Sequence, residues 1–315
     1  MFLVVYGHNH PLTEKYIYSF HIPLFLILSG FFFPNKISFL NIRKRFKSIM
    51  LPYFFWAFFL FLFWLFIGKD VGESATLNLS VQKNFLGIFY AQKGQEYMDW
   101  GLPLWFLPNI FVAFTFLYLC KILFKNKICY FAAIIILVSC GFLLGKLFDI
   151  HFVWSLDVAL VSTFFIAFGK EVFIWINNLR KKNTVIFMIV FFVINLLLFN
   201  YNSKVNMCFS IYGNEFLFLL NGITGSMFII LLFRTFSFFG FLSIVGKFTI
   251  LILALQFLAL SVIKFFLMYI LKIDNFNFSE FQKFYFAIIQ IILIFPIGFI
   301  INKYAPILNG GYKKI

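Results

Sequence analysis

Apolar runs of nearly helix-spanning length recur along the whole chain. They fall at 16–33, 48–68, 102–120, 128–145, 153–169, 184–200, 215–233, 248–271 and 284–302, with a shorter run at 1–8 in front. A bilayer core of about 30 Å takes roughly 20 residues of α-helix, and the polar stretches between the runs are too short to fold separately. The pattern therefore predicts an all-α fold, a polytopic transmembrane helix bundle of nine full spans plus a truncated first helix, in one integral membrane domain over 1–315. The longest connection, near 69–101, is expected to be irregular. No repeat of fixed period is visible.

Basic residues test the count, because Lys and Arg collect in the short cytoplasmic loops of such proteins. One alternate set of loops, from Lys36 and the run Arg43, Lys44, Arg45, Lys47 to the tail's Lys303, Lys313 and Lys314, holds 17 of the 26 basic residues and one acid, Glu171. The other set holds nine basic residues among most of the acids. A miscounted span would scramble this alternation. It places residues 9–15 outside and the C-terminus in the cytoplasm, so the stub at 1–8 must start inside. Seven residues rise only about 10 Å as a helix. The expectation is thus a first helix whose beginning precedes Met1, either because Met1 is an internal methionine of a longer reading frame or because the chain is a shortened form.

Composition agrees with this picture: 63% of the 315 residues are hydrophobic, 12% are charged and Phe alone contributes 54. The formal charge of +15 comes from loop residues rather than from a basic face, which argues against nucleic acid as a partner. Cys120, Cys129, Cys140 and Cys208 have no CxxC or Cys/His spacing, so neither a zinc site nor a disulfide frame is expected. Residues 1–7 carry no basic start, and no small-residue cleavage site follows, so a signal peptide is not supported.

Ionisable groups in apolar spans cost about 2.5–3.5 kcal/mol each to insert and normally face a cavity or a partner. His8 ends the stub and His21 lies about five residues into the next span, at similar depth. A pair of imidazoles there could take and return a proton near neutral pH, or could simply bond water and headgroups. His10 is expected in a loop, since Pro11 ends the segment, and a His8/His10 metal pair lacks a third ligand. Asp157 and Glu215 stand near the outer starts of two spans, as acids facing a cavity or wetted at the interface, and Lys264 is placed to snorkel. The run NIRKRFKSIM could hold phosphates through its arginines, or could be the positive-inside signature alone. Gly30 and Pro23 fit close helix packing.

Taken together, VVYGH (4–8), SFHIPLFLILSGFFF (19–33), the basic run leading into LPYFFW (51–56), LPLWFLPNIFVAF (102–114), SLDVALVSTFFIAFGK (155–170), VGKFTILILALQ (245–256) and FPIGFIINKYAPILNG (295–310) resemble the bacterial acyltransferase-3 family. The resemblance covers nearly the whole chain, and its first two motifs are the specific ones. It implies an essential histidine at His8 and an important one at His21, acyl-CoA as donor, a cytoplasmic N-terminus and about ten helices. Two positions depart from the family pattern. The family's arginine about eleven residues before the GH histidine would precede Met1, and Gln256 stands where the family often has histidine.

The resulting expectation is an O-acyltransferase of the bacterial inner membrane that transfers acetyl from acetyl-CoA, without a metal, to a hydroxyl of a cell-surface or lipid-linked glycan. His8 is the expected general base and His21 its partner. Arg43 and Arg45 are expected to hold the coenzyme phosphates, while Trp105 and Asp157 serve the acceptor side, Trp105 by stacking on a sugar. The arginines and His8 are expected on opposite sides of the membrane, so the donor must thread the bundle. The competing readings are a transporter or flippase of lipid-linked glycans, with membrane lipid around it in either case, and an inactive truncated relative.

Overall fold

The computed structural model describes residues 1–311 apart from 72, 92–93, 149, 237–239, 241 and 274–275. Lys93, Lys313 and Lys314 of the charge pattern lie outside the described residues. The named elements used below are α1 (Phe2–His8), α2 (Glu14–Tyr18), α3 (His21–Gly30), α4 (Phe39–Phe66), α5 (Val81–Tyr90), α6 (Phe106–Leu123), α7 (Lys127–Leu147), α8 (Leu156–Asn178), α9 (Lys181–Tyr201), α10 (Glu215–Thr235), α11 (Thr249–Tyr269) and α12 (Glu280–Tyr304). Eight helices among the described residues, α4 and α6 to α12, are long and apolar enough to cross a membrane.

The run at 16–33 is the exception to the expected nine spans. It breaks at Ser19–Phe20 into α2 and the ten-residue α3. Phe20 leaves helical geometry at φ −144°, and Pro23 has no N–H to give the Ser19 carbonyl, so the bond that would carry the helix across the break is missing. The short α3 stands between α8 and α10. Gly30 and Gly169 let α3 and α8 meet backbone to backbone: a Cβ built on Gly169 would lie 2.0 Å from the Ile27 carbonyl oxygen.

The segment after α4 also departs from expectation, since it folds into short helices instead of an irregular loop. Buried Asn84 on α5 donates to the Glu96 carbonyl (3.0 Å) and accepts from the Asp99 amide (3.1 Å). The Trp64 indole then donates to the Asp99 carboxylate (2.7 Å), tying the segment to α4. Each buried polar group has an internal partner, and the segment is ordered because those bonds are local and close.

Charge separates by end. At one end Arg45, Lys121, Lys127, Lys170, Arg234 and Lys247 cluster, and the only acid among them in the described residues, Glu171, pairs with Lys127 (2.9 Å). At the other end the acids meet single lysines: Glu14 with Lys204 (2.9 Å), Glu280 with Lys283 (2.8 Å), Glu215 with Lys146 and Glu96 with Lys83. We call these the basic end and the paired end. Glu215 is therefore an interfacial ion-pair member, and Lys264 lies over the Phe276 ring (5.7 Å). Cys120 and Cys208 are buried, and none of the four cysteines is joined in a disulfide.

Candidate active site

Beside α1, α3 and α11 lies a cavity of about 70 Å³ whose lining includes His8, His21 and Trp105. Its walls are Ile22 and Phe25 from α3, Phe106 and Leu107 from α6 and Leu253 from α11, so apolar surface surrounds two imidazoles. Thr249 and Ile250, the first residues of α11, also line it.

The ring of His21 is held by the break in its own segment. Its Nδ1 lies 3.0 Å from the Ile17 carbonyl, which can only accept, so Nδ1 carries the proton and Nε2 is an acceptor in the neutral ring. At α1, the His8 Nδ1 lies 3.0 Å from Oε1 of Gln256. The Gln256 amide nitrogen donates to the Leu253 carbonyl (3.2 Å), which leaves its oxygen for His8. Nδ1 of His8 is thus also a donor, and its Nε2 keeps a free lone pair. Between the two rings stands Tyr18, with centroids 4.8 Å from His21 and 6.5 Å from His8. Two neutral imidazoles with Nε2 unprotonated, on one apolar cavity, make a site that can accept a proton from a hydroxyl.

The pair sits deeper than expected. Gln256 is seven residues from Thr249, about 10 Å along α11 from the basic end. The expected separation of His8 and the basic run by the full membrane is therefore shortened. On the other side the Asn9 side chain donates to the Lys283 carbonyl (3.1 Å) and to Gln290 (3.0 Å), fastening the end of α1 into the groove between α11 and α12.

A second recess, of about 220 Å³, opens at the basic end and is lined by Lys44, Arg45, Asn41, Ser48, Phe32, Pro34 and Tyr118. It sits at a π-helical turn, Phe46–Met50, within α4. Pro52 has no N–H with which to reach Ser48, so the turn closes instead from the Leu51 amide to the Phe46 carbonyl. The Arg45 guanidinium lies 3.6 Å over the Phe114 ring, while its contacts to the Tyr118 hydroxyl and the Phe32 carbonyl are long, 3.5 Å each. A stacked guanidinium with weak internal bonds keeps donors for an anion. Arg43, two residues earlier, is exposed and does not line the recess. The two recesses share no lining residue, but the same two segments reach both: Phe25 and, on α6, Leu107 line the histidine cavity, and Phe32 and, on α6, Tyr118 line the basic recess.

The structure thus brings together His8, His21 and Trp105 and sets Arg45 in the second recess. It does not bring Asp157 to either. Asp157 is buried at the start of α8, where it accepts from the Ser210 hydroxyl and so holds the turn after Met207–Phe209. Asp157→Ala is expected to lower unfolding free energy by about 1–3 kcal/mol, the cost of removing a buried acceptor from a part-buried donor, as measured by thermal denaturation in detergent. Sequence reasoning noticed Gln256 only as a departure and missed Gln290, Asn9 and Tyr18. A buried polar side chain in an apolar run is the signal that points to Gln256 and Gln290, both 1% exposed. Among the described residues, no group of three or more His, Cys, Asp or Glu is placed to hold a metal.

Comparison with known proteins adds one finding. A family model described as an acyltransferase domain, of the acyltransferase-3 type, matches residues 1–304. No curated protein and no solved structure matches the chain.

Proposed function

This chain belongs to the acyltransferase-3 family of membrane acyltransferases, and from that premise we propose that it transfers acetyl from acetyl-CoA to a hydroxyl of a cell-surface or lipid-linked glycan. The observation that carries the reading is the pair of imidazoles, each held through Nδ1 and each lining one cavity. His8 Nε2 accepts the hydroxyl proton as the acceptor oxygen bonds to the acyl carbon. The carbon–sulfur bond then breaks, and His8 returns the proton to the departing thiolate, so no net charge is left on the protein. His21 supplies the second acceptor lone pair beside it and relays or orients. Trp105, which lines the same cavity, offers the flat face that a sugar ring stacks on.

Arg45, with Lys44 beside it, holds the coenzyme phosphates in the basic recess, and the donor's arm lies along Phe25–Phe32 and α6 toward the histidines. The crowding of Lys and Arg at that end favours a cytoplasmic basic end and C-terminus in the inner membrane. Arg45→Ala is expected to raise the KM for acetyl-CoA by about tenfold or more, since a charge-assisted bond contributes about 1.5–3 kcal/mol, while Arg43→Ala has the smaller effect. Release of free CoA thiol from membrane vesicles measures both. Equal effects at the two positions would remove Arg45 from the donor site. The proposal as a whole is tested in cells: a strain with the gene deleted should lose O-acetyl groups from its surface glycan. Altered glycan export with unchanged acetylation would overturn it in favour of a transporter.

A further inference from the structure

The residues behind His8 form a connected series of amides running across two helices. Gln290 of α12 donates through Nε2 to the backbone carbonyl of Gln256 on α11 (2.9 Å). Its oxygen accepts from Asn9 (3.0 Å), the residue that follows His8, and Asn9 donates as well to the Lys283 carbonyl (3.1 Å). The Gln256 side chain is itself pinned to Leu253 and presents its oxygen to His8. His8 is therefore gripped twice, at its ring through Gln256 and at its chain through Asn9, and both grips meet at Gln290.

We propose that Gln256 is the positioning residue of the acyl-transfer base, braced by Gln290, and that it holds His8 as the Nδ1–H tautomer with Nε2 turned to the cavity. The inference rests on His8 being the base. Among the described residues, Gln256 is the hydrogen-bond partner placed against Nδ1. A side-chain oxygen in line with Nδ1 accepts one hydrogen bond and favours one of the two neutral tautomers, the role that outer partners of functional histidines take. The amide differs from a carboxylate in carrying no charge. It orients His8 and adds no negative field to favour the imidazolium, which suits a base that must release its proton to a thiolate within the same turnover.

The test uses the whole protein in detergent, labelled with nitrogen-15 histidine. Its four histidines are few enough to assign by single substitution. In the unaltered protein, His8 should show Nδ1 protonated and Nε2 bare. In Gln256→Ala the His8 ring should become a mixture of tautomers while the His21 signals stay, and kcat should fall on the order of 10- to 100-fold with the KM for acetyl-CoA unchanged. Gln256→Glu keeps an acceptor oxygen and should keep the Nδ1–H tautomer. Gln290→Ala, which leaves the Gln256 side chain in place, should shift the His8 signals in the same direction to a smaller extent, and it serves where Gln256→Ala fails to fold. A His8 ring protonated on Nε2 in the unaltered protein, or His8 signals that ignore both Gln256→Ala and Gln290→Ala, would overturn the proposal. The spectrum needs no acceptor and no turnover, so its failure is separate from failure of the acetyl-transfer reading.

Discussion

His8→Ala is expected to cut acyl transfer by roughly 10²- to 10⁴-fold, the range that a positioned general base contributes. The loss should appear in kcat, because the proposed mechanism has His8 act on the reacting hydroxyl and leaves the coenzyme phosphates to the other recess. The side chain removed is only part-buried, but its partner is not: Gln256 Oε1 would be left in an apolar wall with nothing to accept from. Stranding that acceptor costs about 1–3 kcal/mol of stability. Activity and folding must therefore be read together. Per folded molecule, established by thermal unfolding of the purified protein, the transfer rate should still be down by at least 100-fold. His21→Ala is expected to fall less in rate, since the second lone pair assists and does not take the proton in the first step, yet to lose more stability, since a ring 5% exposed leaves a cavity. A His8→Ala protein that folds and turns over at a tenth of the normal rate or better would remove His8 from the chemistry.

The parts of this molecule legible in the sequence are those that one helix decides for itself. The eight long helices follow from apolar run length, and the segregation of lysines and arginines to one end follows from the alternation of loops. His8 and His21 stand out because an imidazole in an apolar run must be accounted for. What was hidden is what depends on pairs distant in sequence. The break that turns α3 away from α2 depends on whether Pro23 is absorbed or not, and single-run periodicity does not say. The segment after α4 looked irregular because its order comes from Asn84 and Asp99 meeting, which composition does not reveal. Gln256 and His8 are 248 positions apart, and no spacing rule joins them; only the packing of α1 into the groove between α11 and α12 does. Likewise Arg43 and Arg45 are equivalent as charges in a run, and the π-helical turn and the Phe114 ring distinguish them.

The same long-range logic makes Gly169 the position where a single methyl group should do the most structural harm. At the crossing of α3 and α8 the two backbones are in contact from both sides: the Cβ of an alanine at 169 would fall 2.0 Å from the Ile27 carbonyl oxygen, and one at 30 would fall 2.1 Å from the Ile166 carbonyl oxygen. Both obstructing atoms are backbone, so no side chain can swing aside, and relief requires α3 to move as a unit. Overpacking of this kind costs about 3 kcal/mol at the upper end of its usual range, and more for a branched residue. Gly169→Ala should therefore lower the unfolding temperature sharply, Gly169→Val more so, whereas Gly246→Ala, with nothing within 4 Å of its new methyl, should stay within about 0.5 kcal/mol of the parent. Because α3 begins at His21 and carries Ile22 and Phe25, displacing it reshapes the cavity from below. Folded Gly169→Ala should accordingly lose kcat even though the substitution lies far along α8 from either histidine. If Gly169→Ala unfolds at the same temperature as Gly246→Ala, the close crossing is not what sets His21 in place.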